Sequence, residues 1–228
     1  MSNGSNGSDG TGGLRERKKQ QTRRVVSEAA IALFLERGFD DVPVSEVAAA
    51  AEVSTMTVFN HFPTKEDLVL HRFEDHFDDI VAVVLGRAPG ESAVGALRRH
   101  FLAALDRHDV VTGLDDDPHV LAFHRMALAA PSLRLRVLEQ STRTVEALAT
   151  ALAEQAGAGP GDVAARTVAY AVARTVAAQL CGVQAELVRE NVRRLAAGET
   201  AEAVRPDAVA AARQAFDLLE HGLGGYCV

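Results

Sequence analysis

Apolar residues recur at three- and four-residue steps along almost the whole of this sequence, and no stretch alternates apolar with polar. A step of three to four is the period of an α-helix, and a step of two is that of a half-buried strand. The pattern therefore calls for helices and leaves no convincing strand. Val26, Ala29, Ala30, Leu33 and Phe34 form the first stripe. Gly38 suits the end of that helix, because glycine takes the left-handed conformation cheaply. "VPVSEVAAAA" reads as a short second helix, with Pro43 suited to its first position. Ser54 can cap a third helix, which Pro63 stops. Thr64 can cap again, and Lys65 is expected to open a longer helix reaching Leu85. Further helices are expected over 93–107, 118–129, 133–155, 162–197 and 207–219, with a bend near Gly182. "GAGPGD" and "GETAEAVRP" read as breaks. The expected class is all-α, with about nine helices.

A chain of 228 residues with 47% hydrophobic content can bury a sizeable core. Its two cysteines give neither a disulfide framework nor a zinc pattern. No apolar run reaches the roughly 18 residues a membrane span needs. "MSNGSNGSDGTGG" has no apolar centre of the kind a secretory signal carries, so a cytoplasmic location is expected. Residues 1–16 read as a disordered Gly/Ser-rich tail, 17–64 as one domain and 65–228 as a second. The formal net charge of −7 argues against a nucleic-acid partner only if charge is spread evenly. It is not. Arg15, Arg17, Lys18, Lys19, Arg23 and Arg24 face only Glu16, and the acids gather in "FEDHFDD" and "LDDDP". A merely solvated charged segment would have the same composition.

The first domain reads as a long helix, a short helix, a tight turn and a second short helix, which is a helix-turn-helix. On its last helix Val53, Val58 and Phe62 can point inward, while Thr55, Met56, Phe59 and Asn60 lie largely on the other side. A recognition helix presents its N-terminal residues to base edges, where hydroxyls hydrogen-bond and Met touches a thymine methyl. His61 and Lys65 follow where a phosphate backbone would pass. Each has a plainer reading taken alone: His61 as a cap or half-buried histidine, Phe59 as core, and Pro63 to Glu66 as a helix start.

The order "AAIALFLERGF", "VSEVAAAAEVS", "TVFNHF", "TKEDL" resembles the DNA-binding domain of the TetR (tetracycline-repressor) family of bacterial transcription factors, from Arg24 to Leu68. The resemblance implies a homodimer with an N-terminal head on double-stranded operator DNA. It also implies a larger helical domain that dimerises and binds a small-molecule effector. By resemblance, Ser45, Thr55 and Met56 fall on base-reading positions, and Thr57, Phe59, His61 and Lys65 on phosphate-contacting ones. Asn60 and Arg24 neighbour them. Three residues depart from the family pattern: Pro43 stands for Thr, Glu52 for Gly and Phe59 for Tyr, which loses a phosphate-bonding hydroxyl.

The same resemblance puts a dimer interface on the last two long helices and an effector pocket among the middle ones. Phe101, His124, Met126, Tyr170 and Arg174 interrupt apolar faces there and are the pocket candidates. Tyr170 and Arg174 are one turn apart and share a side. Arg174 would receive an anionic group of an otherwise apolar effector, or pair with an acid on a neighbouring helix. No cofactor or metal is expected: His71 and His76, like His119 and His124, are five apart and off one face. No nucleophile motif or phosphate loop points to an enzyme. The expected function is a ligand-responsive DNA-binding regulator, most often a repressor, on a pseudo-palindromic operator. The other reading is a helical ligand-binding or interaction module whose head has lost specific DNA affinity.

Overall fold

The computed structural model describes residues 9–71, 74–155 and 163–223. The expectations for residues 1–8 and for the "GAGPGD" break lie outside these. Every described element is helical, in the order α1 (Asp9–Arg37), α2 (Val44–Ala50), α3 (Thr55–His61), α4 (Asp67–Leu70), α5 (Glu74–Leu85), α6 (Ala93–Asp106), a 3₁₀ turn (Val110–Thr112), α7 (Pro118–Ala129), α8 (Pro131–Gln155), α9 (Val163–Ala196) and α10 (Ala201–Leu223). The chain divides into two compact units between residues 72 and 73. The dividing point expected from the sequence was eight residues earlier, between 64 and 65.

The first unit packs α2 and α4 against α1, and α3 against α2. Val26, Ala30 and Phe34 of α1 are buried together with Val47, Val58, Phe62 and Leu68. Full burial of Phe34 or Phe62 contributes about 2–3 kcal/mol. Ser27 is buried on the same face of α1 and donates from its hydroxyl to the Leu68 carbonyl at 2.7 Å, which ties α4 to α1. This bond accords with the later division: α4 belongs to the first unit, and residues 72 and 73, which the expected helix over 65–85 crosses, lie outside the described residues. Thr64 and Asp67 cap each other's backbone, with Thr64 N–H on the Asp67 carboxylate at 3.0 Å and Asp67 N–H on the Thr64 hydroxyl at 3.3 Å. The helix therefore starts at Asp67, and Lys65 sits in the turn before it.

α1 also differs from expectation. It begins at Asp9 and takes in residues 9–16 of the expected tail. Leu14 to Arg24 is made almost wholly of good helix formers, and a helix already fixed by the core over 26–37 propagates through such residues at little cost.

In the second unit α9 packs along α8 and α10, α10 on α6, and α5 on α6 and α8. Phe101 of α6 and Phe216 of α10 meet at 6.1 Å between ring centroids within this core. Cys181 lies at its margin, where burial pushes the thiol up to about 11, so it acts as a packing residue. α9 runs through Gly182 without a break. α10 starts six residues before the expected Asp207 and contains Pro206. A proline there removes one backbone bond. Two features hold the helix through it: the Ala201 N–H is capped by Asp116 at 2.7 Å, and Ala201, Val204, Ala208 and Ala212 are buried on both sides of the proline.

The acidic run "LDDDP" has a structural use at each position. Asp115 accepts from Asp117 N–H at 2.9 Å, Asp116 caps α10, and Asp117 caps α7 through His119 N–H at 2.8 Å. The expected cap at Asp117 and first position at Pro118 are as read from the sequence. Just before this run, Asn191 of α9 donates to the Thr112 carbonyl at 2.8 Å, and Gly113 turns the chain at φ +69°. The 109–117 segment is thereby strapped onto α9 and α10.

Candidate nucleic-acid interface

α3 is short, so its position depends on its ends. Ser54 caps it by accepting from Thr57 N–H at 3.0 Å, as its sequence position predicts. Val58 and Phe62 bury its inner side. Thr55, Met56, Phe59 and Asn60 are exposed, with Met56 69% and Phe59 48% accessible. A seven-residue helix that leaves a methionine and a phenylalanine in solvent presents a contact face rather than a core face. Ser45, on α2, is also exposed.

The remaining expected contact residues are more constrained. The Thr57 hydroxyl is hydrogen-bonded to that of Ser54 at 2.8 Å. His61 is half-buried, with its Nδ1 out of solvent and without a hydrogen-bond partner. Burial pushes its pKa below the ordinary value, and the charges of Arg23 and Lys19 push in the same direction. The ring is neutral at pH 7 and offers an N–H rather than a charge. The Lys65 ammonium lies 3.3 Å from the Asp40 carbonyl and over the Phe39 and Phe34 rings at 4.7 and 5.3 Å. It thus holds the turn before α4 against the end of α1. Sequence reasoning missed this use, since Asp40 and Phe39 are distant in the chain. Arg24 is exposed and engaged along its own helix, with Gln21 at 3.1 Å and Glu28 at 3.9 Å.

Two family departures now have a geometry. Pro43 stands at the N-cap of α2, one position earlier than expected, and supplies no side-chain cap. Its carbonyl still accepts from Glu46 N–H at 3.0 Å, and the Arg37–Glu46 ion pair fixes the same end. Glu52, in the turn between α2 and α3, has φ +54°. An L-residue pays about 1–2 kcal/mol in that region, and glycine does not. The greater freedom of glycine in the unfolded chain offsets part of this. Glu52→Gly is expected to stabilise the first unit by roughly 0.5–1 kcal/mol in urea unfolding; an unchanged or lower midpoint would contradict the strain.

The expected pocket residues are not brought together as one polar cluster. Phe101 is fully buried in the second unit's core. His124 and Met126 are half-buried on α7. Burial lowers the His124 pKa against the opposing charge of Asp115. Tyr170 and Arg174 share a side of α9, as their spacing requires, but that side faces solvent in the single chain. Tyr170 is 39% accessible, with Val168 and Val172 exposed beside it.

Residues 27–71 match the family model for bacterial regulatory proteins of the tetR family. The HTH-type transcriptional regulator TcmR of Streptomyces glaucescens is 31% identical over 147 residues, 64% of this chain and 65% of that protein. The match thus spans just under two thirds of that relative's length. The HTH-type transcriptional regulator LuxR of Vibrio harveyi is 43% identical over 53 residues, 23% of this chain and 24% of its own. A solved structure assigned to the TetR family, from Mesorhizobium loti, overlaps 90% of this chain and 97% of its own with a TM-score of 0.51 at 20% identity. That last likeness is one of fold.

Proposed function

The chain belongs to the tetR family of bacterial regulatory proteins, and on that premise we propose that it is a ligand-responsive transcriptional regulator, a repressor. It binds a pseudo-palindromic operator as a homodimer and is released by a small-molecule effector. The observation that carries this reading is the outward face of α3, where Thr55, Met56 and Asn60 stand exposed on a helix anchored by Val58 and Phe62. Thr55 and Met56, near its N-terminus, read base edges, with Ser45 of α2 beside them. Thr57, Asn60 and His61 meet the phosphate backbone through hydroxyl, amide and imidazole N–H groups. Lys65 adds charge from a fixed position.

In this reading the homodimer forms through the outer sides of α9 and α10, which expose Val168, Val172 and Leu218 among small residues. Effector binding in the second unit shifts the population between DNA-competent and incompetent dimers. The relatives named above are regulators rather than enzymes, and none of the described helices is long and apolar enough to cross a membrane. The protein acts on DNA in the cytoplasm.

A second reading is an interaction module without specific DNA affinity. It is favoured by Phe59, which offers no hydroxyl, and by Lys65, whose ammonium is already engaged. Selection from random duplex DNA with the purified protein separates the two. The regulator returns a two-fold symmetric motif, whereas the module returns none and still dimerises.

A further inference from the structure

The basic segment before the first unit's core is helix. Arg15, Lys18 and Lys19 are exposed on α1, and among the described side chains the first buried one is that of Val26. At about 100° per residue, Arg15, Lys19 and Arg23 fall about 40° apart in succession and form one strip along the helix. The strip ends beside the recognition helix. The Arg23 guanidinium stands 5.3 Å over the ring of Phe62, the residue that closes α3 directly after His61. Lys19 lies about 6 Å further along the axis and Arg15 about 6 Å beyond that. Arg17 lies about 160° round the helix from both Arg15 and Lys19. Glu16 is the lone acid between residues 14 and 24, and it is occupied by the Gln20 amide at 3.0 Å.

We propose that Arg15 and Lys19 form a second row of phosphate contacts, extending the DNA surface of α3 from His61 along one face of α1 onto the backbone flanking each half-site. This deepens the reading of the head as a DNA-binding unit and rests on it. A row of like charges at fixed spacing on a rod matches a polyanion such as the duplex that α3 is read to address. Because the rod is helical rather than a loose arm, only one of its faces can lie along the backbone that α3 addresses. The position of each cation on the helix therefore matters as well as its charge. The charge of Lys19 also reaches His61, as a strip running toward α3 requires.

The test uses the full chain and the duplex selected by the wild type, with affinity measured from low to moderate salt. Lys19→Gln removes one contact per subunit, hence two per dimer. It is expected to flatten the slope of log K against log salt by about 1.8. Arg15→Gln/Lys19→Gln flattens it further. Arg17→Gln removes the same charge from the opposite face and is expected to change the slope by much less. Glutamine keeps helix propensity, and circular dichroism checks that helix content is retained. Equal flattening by Lys19→Gln and Arg17→Gln, or none from Lys19→Gln, overturns the inference while leaving the reading of the head intact. A wild type that selects no site removes both.

Discussion

Gly113→Ala is expected to destabilise the second unit by about 3 kcal/mol, lowering its melting temperature by roughly 10 °C. Two costs add. Gly113 sits at φ +69°, which an L-residue adopts at about 1–2 kcal/mol. A Cβ there would also lie 2.7 Å from the Val188 carbonyl oxygen and 2.8 Å from Val192 Cγ2, both on α9. One of these neighbours is backbone in the middle of a long helix and cannot yield. The strap would have to lift, straining the 2.8 Å bond from Asn191 to the Thr112 carbonyl, whose loss leaves buried polar groups unpaired. Gly198→Ala serves as the comparison. Its φ is +98°, but nothing lies within 4 Å of an added Cβ, so only the backbone cost of about 1 kcal/mol applies. Thermal and urea unfolding of both variants check the difference. Equal losses would mean that the close approach of the strap to α9 contributes nothing.

The sequence was most readable where one local rule decided the outcome. Ser54 caps α3 and Asp117-Pro118 opens α7, because capping depends on a few adjacent residues. The inner and outer sides of α3 follow from spacing alone, with Val58 and Phe62 buried and Met56 exposed. Where distant residues decide, the reading departs. Pro206 looked like the end of a loop, yet the cap that starts α10 comes from Asp116, on a segment far earlier in the chain. The helix expected to open at Lys65 opens at Asp67, as the four-residue α4, which is fastened to Ser27 forty-one positions earlier than Leu68. Lys65 was read for its charge, and its use against Phe34, Phe39 and the Asp40 carbonyl shows only in three dimensions. The pocket candidates lie on three helices, α6, α7 and α9. Tyr170 and Arg174 share a side, as periodicity requires, but periodicity does not say whether that side meets a ligand, a partner or water.

The second large effect concerns the outward face of α3 and bears on what the protein does. Thr55 and Met56 are exposed, near the N-terminus of the helix, and Met56 is 69% accessible without another structural use. If they read bases, Thr55→Ala/Met56→Ala removes four contacts from a dimer, each worth about 1 kcal/mol, and weakens specific binding about 1,000-fold. Phosphate contacts from Thr57, His61 and the α1 strip remain, so affinity for unrelated duplex DNA stays nearly the same. Folding should be unaffected, because neither side chain is buried. The most direct test is to measure, at one fixed salt concentration, the affinity of wild type and double variant for the selected duplex and for a scrambled one of equal length. Convergence of the variant's two affinities on the wild type's scrambled-duplex value is the predicted result. A variant that still prefers the selected duplex as strongly as the wild type would show that α3 does not read the DNA.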